Sequence, residues 1–507
     1  MVIPIGGVML DRATPACSTI ASSIESAPGV QPRATFLIME ARHDGAVFCG
    51  RGVDEMPPDG TLPTCAGQGP YKTAKGPCRC EPHITRGILR TDVRSDKKRW
   101  WIIGLLCFAA LVNYVDRNNL SVAAVPVMED FDFSPAIAGT LMSAFFWTYT
   151  LLQIPSGWAV DRFGLRWTYG FSFLIWSLSS AAIGLARSFS QILVFRLILG
   201  LGQAAVQPVS LTYIRTNFDD EEQGFPTAVY ILGMMIGPAV GGFLGGALLE
   251  ELGWRELFIL TGLIPCVWLI PWFLLAPSGR AKLTSQDQPS TAKVPLRKLF
   301  ANPAVWGITI TAFFYSYFWY FVMSWLPAYL VMERDMSFLD MGIYTALPFI
   351  AMAVVAPSAA RLADHWSRRT GRPILVRKIF IISGYILGSS TLLLIWTESA
   401  QVASAILIFA LASIGLTSAN YWALTQAISP RAFVGRAIGY QNTISNLAGI
   451  CAPMLTGILV GESENFSSSI AFASVSLWIA AAAYAFLVRE SSASEIKGLF
   501  VGEMRSS

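Results

Sequence analysis

The feature that most limits how this chain can fold is the spacing of its charges. It has 37 Lys+Arg and 33 Asp+Glu in 507 residues, about one charge in seven, yet runs of twenty or more residues with none of them recur from Trp100 onward. Twelve apolar stretches of helix length follow: 101–126, 136–160, 167–186, 191–214, 225–249, 257–276, 303–331, 341–360, 379–397, 401–429, 437–461 and 465–488. Each is long enough to cross the roughly 30 Å of a bilayer's hydrocarbon as a helix. Lipid offers no water to backbone N–H and C=O groups, so the expected architecture is all-helical. With 53% hydrophobic and 14% charged residues, the composition excludes a water-soluble enzyme of this size, for which about a quarter of residues are charged.

The distribution of positive charge sets topology. With a cytoplasmic N-terminus, the inside loops and flanks counted from Arg86 onward hold 25 Lys+Arg and those outside hold three, Arg187, Arg255 and Arg334. Such a bias places both termini in the cytoplasm of a multi-pass membrane protein, the inner membrane if the source is bacterial. The net charge of +4 is accounted for in this way and does not point to nucleic acid.

The domain plan expected is a disordered extension over 1–99, a six-helix bundle over 100–276, a cytoplasmic linker over 277–302, a second six-helix bundle over 303–490 and a cytoplasmic tail over 491–507. The extension holds five of the eight cysteines, has no sustained periodicity and lacks the order of a signal peptide. One account of it is that it precedes the natural start of translation. Cys78, Cys80 and His83 are a poor match to zinc-ligand spacing, and no metal or cofactor is expected. Cys107, Cys266 and Cys451 lie in apolar spans and are expected in the core.

The two halves repeat. Gly157-Trp-Ala-Val-Asp161-Arg162-Phe-Gly164-Leu-Arg166 follows the second span, and Ala360-Arg-Leu-Ala-Asp364-His-Trp-Ser-Arg368-Arg369 follows the eighth. In both, an acid stands four residues after a small one, with basic residues beyond. A small residue lets helix ends approach, and an acid suits the positive end of a neighbouring helix, so these loops are candidate conformational latches. The loop resembles the signature of the major facilitator superfamily. Asn113-Tyr114-Val115-Asp116-Arg117, Arg196 through Gly200 and Gly202, Trp325-Leu-Pro327, and Gly439-Tyr-Gln-Asn442 through Asn446 and Pro453 are similar to its anion:cation symporter branch. The resemblance, over about 100–490, implies two pseudo-symmetric six-helix bundles, a functional monomer and an organic-anion substrate such as a sugar acid. It also implies that Asp116 couples protons and that the matching arginines bind substrate.

Ten of the twelve spans hold no Asp, Glu, Lys or Arg; the exceptions supply Asp116, Arg117 and Arg196. An intramembrane charge costs several kcal/mol unless it faces water or a partner, which makes these three the functional candidates. Asn113, Asp116 and Arg117 are spaced to share a helix face, and Gln203 and Gln207 lie on the fourth span with Arg196. With Asp116 ionised the three sum to +1, which a carboxylate completes through bidentate contacts to guanidinium. An anion that takes an arginine leaves the acid without its countercharge and ready for a proton, so substrate and proton bind together. The second half contributes only neutral groups, Tyr315, Tyr317, Asn420, Gln426, Asn442 and Asn446, opposite the charged first half. The expected substrate-binding set is Tyr114, Arg117, Arg196, Gln203, Gln207, Asn442 and Asn446.

One position departs from the family. Relatives commonly have Glu-Ala-Pro where this chain has Gln203-Ala204-Ala205, and an amide cannot titrate, which leaves sodium coupling or facilitated diffusion open beside proton symport. Gly233, Gly237, Gly241 and Gly245 form a stripe read as close helix packing. With Pro238 the segment also resembles a drug/proton antiporter motif, the main rival; an aromatic-acid facilitator is the third reading. Enzyme chemistry is excluded by spans that contain no His and no paired acids.

Overall fold

The computed structural model describes residues 93–219, 222–277, 302–429, 434–461 and 465–489, and these contain helices and connecting turns but no strand. Cys78, Cys80, His83, most of the 277–302 linker and the 491–507 tail lie outside them, and no metal-binding cluster occurs among the described residues. In chain order the apolar helices are Lys97–Val122, Pro135–Ile183, Phe189–Asn217, Gly224–Leu252, Trp254–Leu275, Pro303–Met332, Phe338–Thr370, Pro373–Trp396, Ala400–Ile428, Ala437–Val460 and Ser467–Leu487. The 49-residue element Pro135–Ile183 is two spans, because Gly164 breaks the helical path with φ +79° and ψ 166°. A residue with a Cβ is strained there, so the glycine turns the chain between the second and third spans. Twelve spans result, and they are numbered first to twelfth below.

The N-terminal boundary differs from the sequence expectation. Helix begins at Val93, so residues 93–99 continue the first span into its charged flank instead of belonging to an unstructured extension. Arg99 has a reason to be ordered: its guanidinium lies 4.8 Å from the Phe218 ring centroid and 3.4 Å from Glu222.

Glycines decide how closely the spans pack. On the fifth span, a Cβ at Gly233 would strike the carbonyl of Cys107, one at Gly237 would lie 2.5 Å from Tyr114 Cβ, and Gly241 and Gly245 meet Val115 and Val122. The stripe therefore seats the fifth span against the first inside one half, which is the packing reading. The adjacent face of the same helix does something else. Gly242 and Gly246 meet Thr345 and Gly342 of the eighth span, joining the two halves. A second cross-half contact is built alike: Gly139 abuts the Pro453 carbonyl, and Gly457 that of Pro135. Trp325 Nε1 donates to Pro453 O at 3.0 Å, so two motif residues hold the seventh and eleventh spans together.

These cross-half contacts lie toward one face of the bundle, the one that carries the short connection between Val122 and Pro135. Glu250 reinforces it by accepting the Phe338 backbone N–H at 3.0 Å, a carboxylate at the N-terminus of the eighth span. Of the three span cysteines, Cys107 and Cys266 are half-buried and Cys451 is exposed, which corrects the expectation that all are core residues. A thiol is apolar enough for a lipid-facing surface as well as for a core.

Candidate functional site

The two spans that carry charge meet the second span at its aromatic segment. Gly200 of the fourth span sits against the Phe145 carbonyl, and Thr148 Oγ1 donates to Leu197 O at 2.7 Å. This close crossing points Arg196 at the second span, where Nε donates to Leu141 O at 3.1 Å and Nη2 to Met142 O at 3.0 Å. Nη1 is buried and has no hydrogen-bond partner, in a residue only 3% exposed. The backbone thus holds the guanidinium and leaves one nitrogen uncommitted.

Arg117 is held by rings. Its guanidinium lies 4.4 Å from the Tyr149 centroid, 4.8 Å from Phe145 and 4.9 Å from Tyr114, and Nε donates to Gln203 Oε1 at 3.0 Å. Gln203 in turn donates from Nε2 to Asn113 O at 3.4 Å. The neutral amide that replaces the family's glutamate therefore positions Arg117 without neutralising it.

Asp116 turns elsewhere. It is 1% exposed, and its Oδ1 accepts from Ser180 Oγ of the third span at 2.8 Å and from Asn119 Nδ2 at 3.4 Å. Asn119 also donates to Thr261 of the sixth span at 2.8 Å. Asp116 Oδ2 is buried without a partner, and among the described residues no ion pair joins Asp116 to either arginine. The single shared face expected for Asn113, Asp116 and Arg117 is not realised. Adjacent positions differ by roughly 100° around a helix, so Arg117 looks into the half-to-half interface while Asp116 looks back into its own half.

Both arginines line one cavity between the halves, with Ser121, Met142, Phe145, Phe146, Tyr320, Met323 and Ser324. Its volume open to the centre of a water molecule is about 20 Å³, room for one or two waters, so a six-carbon acid enters only after the halves part. Toward the sealed face it is closed by Ser121 Oγ donating to Ser324 O at 2.5 Å. On the other side, Phe146 and Tyr320 stack edge to face at 4.6 Å, and Tyr320 OH donates to Asn446 Oδ1 at 3.5 Å. Farther along, Asn442 Nδ2 donates to Gln153 Oε1 at 3.1 Å across the halves. Tyr114, Arg117 and Gln207 line a second, smaller cavity with Asn113, Tyr149 and Tyr230.

Of the expected binding set, Arg117 and Arg196 meet at the interface cavity; Tyr114, Gln203 and Gln207 surround Arg117, and Asn442 and Asn446 reach the interface from the other half. Four neutral candidates fall elsewhere. Tyr317 is core, packed on Phe472 at 4.8 Å; Tyr315 packs at a tilt against Tyr385 and Tyr421; Gln426 is exposed; and Asn420 accepts from Arg377 at 3.3 Å, beside the second latch loop. Phe145, Tyr149 and Gln153 were missed, although they recur every four residues along one face of the second span, the spacing of a lining stripe.

The two latch loops differ. Asp364 pairs with Arg377 of the ninth span at 2.7 Å, within its own half, while Arg368 and Arg369 are exposed. In the first loop Asp161 is exposed, no atom lies within 4 Å of a Cβ at Gly157, Arg162 lies 6.0 Å from the Trp158 ring and Arg166 5.9 Å from Trp167 and Phe273. The close helix approach expected at Gly157 is absent in this conformation.

Two six-helix bundles enclosing a charged cavity at their interface define a membrane carrier, not an enzyme. The sequence pattern of the Major Facilitator Superfamily matches residues 106–453, and the chain belongs to that family. It is 28% identical over 418 residues to a probable L-galactonate transporter of Escherichia coli K12, covering 80% of this chain and 92% of that one. It is 26% identical to a probable galactarate/D-glucarate transporter of the same organism, covering 80% and 99%. Among solved structures, a bacterial homologue of the human lysosomal transporter Spinster superposes with a TM-score of 0.65 at 20% identity, over 77% of this chain and 96% of that one.

Proposed function

We infer that this protein imports a small organic acid of the sugar-acid class by proton-linked alternating access, working as a monomer with both termini in the cytoplasm. The observation that carries the reading is the pair of arginines, Arg196 buried and Arg117 half-buried, opening on one cavity between the halves, a cavity that no acidic side chain lines. A fixed, desolvated guanidinium is the group that recognises a carboxylate. The relatives supply the substrate class, since several are named for galactonate, hexuronate, galactarate and glucarate. Asp116 supplies the proton site: it is buried, and its Oδ2 is free to carry a proton. The sugar-acid relatives favour this reading over the antiporter one, and the packing of Gly237 and Gly241 against Tyr114 and Val115 accounts for the glycine stripe without it.

The cycle follows from the geometry. Substrate reaches Arg117 and Arg196 when the halves part, the Phe146–Tyr320 and Gln153–Asn442 contacts re-form around it, and the latch loops bias which face opens. Uptake of labelled sugar acids into proteoliposomes with an imposed pH gradient tests it. Acid-driven accumulation of a sugar acid is expected; transport of cationic or neutral drugs, with no uptake of any organic acid, refutes it.

A further inference from the structure

Resting on the reading of the interface cavity as the anion site, we propose that the site takes a molecule with two anionic groups on a short polar chain, one group to each arginine, together with one proton. Both guanidiniums lie against the Phe145 ring, at 4.8 and 5.6 Å from its centroid, so they stand within roughly 10 Å of each other and repel in an interior of low dielectric. A single carboxylate relieves only part of this. Arg117 has given Nε to Gln203 and Arg196 has given Nε and Nη2 to backbone carbonyls, so Arg196 meets a ligand end-on through Nη1. A monoacid seated on Arg117 leaves that nitrogen buried and without an acceptor, a cost a second anionic group removes.

Charge balance selects the same ligand. Occlusion buries the loaded site, and buried charge is tolerated when it sums near zero. The arginines contribute two positive charges, Gln203 none, and Asp116 one negative charge unless protonated. Two loaded states are therefore neutral: a monoanion with ionised Asp116, or a dianion with protonated Asp116. Only the second carries a proton with the substrate. A glutamate at position 203 would supply the missing negative charge beside Arg117, and this chain's Gln203 is what moves the balance toward a diacid. The hydroxyls of Ser121 and Tyr320 and the Ser324 carbonyl region offer neutral polar contacts to the chain between the two anionic ends.

The test is uptake by the full-length protein in proteoliposomes holding a pH dye, with acids matched except for the second carboxylate: D-glucarate against D-gluconate, and galactarate against D-galactonate. The diacid of each pair is expected to show at least tenfold higher kcat/KM and to acidify the lumen as it enters. Gln203→Glu is expected to shift the diacid-to-monoacid ratio at least tenfold toward the monoacid. Equal or preferred transport of the monoacids by the unaltered protein overturns the two-anion site while leaving an organic-acid carrier. Diacid entry without a proton also overturns it. Uptake of neither kind of acid overturns the carrier reading along with it. An unchanged ratio in a transporting Gln203→Glu protein refutes the role of position 203; should that variant not fold, the paired comparison in the unaltered protein decides alone.

Discussion

The halves of this molecule share one plan and carry different chemistry on it. The first half places Asp116, Arg117 and Arg196 inside the apolar bundle and fixes each to its own backbone, rings or hydroxyls. The second half brings Tyr320, Ser324, Asn442 and Asn446 to the same interface and no charged side chain to the cavity. Even their loops differ, Asp364 being paired inside its half while Asp161 is exposed. Charge is costly to desolvate and to move, whereas hydroxyls and amides exchange partners cheaply. A carrier that keeps its charges in one half can bind the anion there and let the neutral half swing across it.

The largest effect that sharpens this comparison belongs to the arginines. Arg196→Lys and Arg117→Lys should each reduce kcat/KM for uptake roughly a hundredfold or more while leaving expression intact, because a flexible ammonium can reproduce neither the carbonyl clamp nor the ring enclosure. Near-normal uptake in both would move the anion site away from this cavity. Asp116→Asn should abolish accumulation driven by a pH gradient and preserve counterflow exchange, since exchange needs no proton cycle; accumulation that survives would place the coupling ion elsewhere. Substitutions in the neutral half should be milder. Tyr320→Phe and Asn446→Ala are expected to raise KM by roughly three- to tenfold, the loss of one neutral hydrogen bond each, and a hundredfold loss in either would end the division of labour between halves. The smallest effect is expected from deleting residues 1–85, under twofold in uptake, since the family match begins at residue 106; failure of the truncated protein to reach the membrane would show that the segment is needed.

Much of this was legible in the sequence because membrane insertion makes hydropathy nearly decisive. Runs without charge located twelve spans, the polar loop at 277–302 divided them six and six, and Arg117 and Arg196 stood out as charges in apolar segments. The spacing of Gly233, Gly237, Gly241 and Gly245 named a packing face before its partner was known. The start of helix at Val93 was hidden because the first turns of that helix are polar and leave no hydropathic mark.

What the sequence determined by itself is the number of spans and which residues are too polar to face lipid. Tertiary structure alone decided what those residues touch. Periodicity gives a side chain's direction around its own helix axis; the neighbour lying in that direction depends on how the helices are rotated and crossed, and small residues far away in sequence set that. Gly200 against Phe145 turned Arg196 onto the carbonyls of Leu141 and Met142, and the first span's seat on the fifth sent Asp116 to Ser180 while Arg117 kept the interface. Gly242 and Gly246 stand next to the stripe in sequence yet close the halves on each other, because a rotation of roughly 100° per residue carries them to the opposite partner.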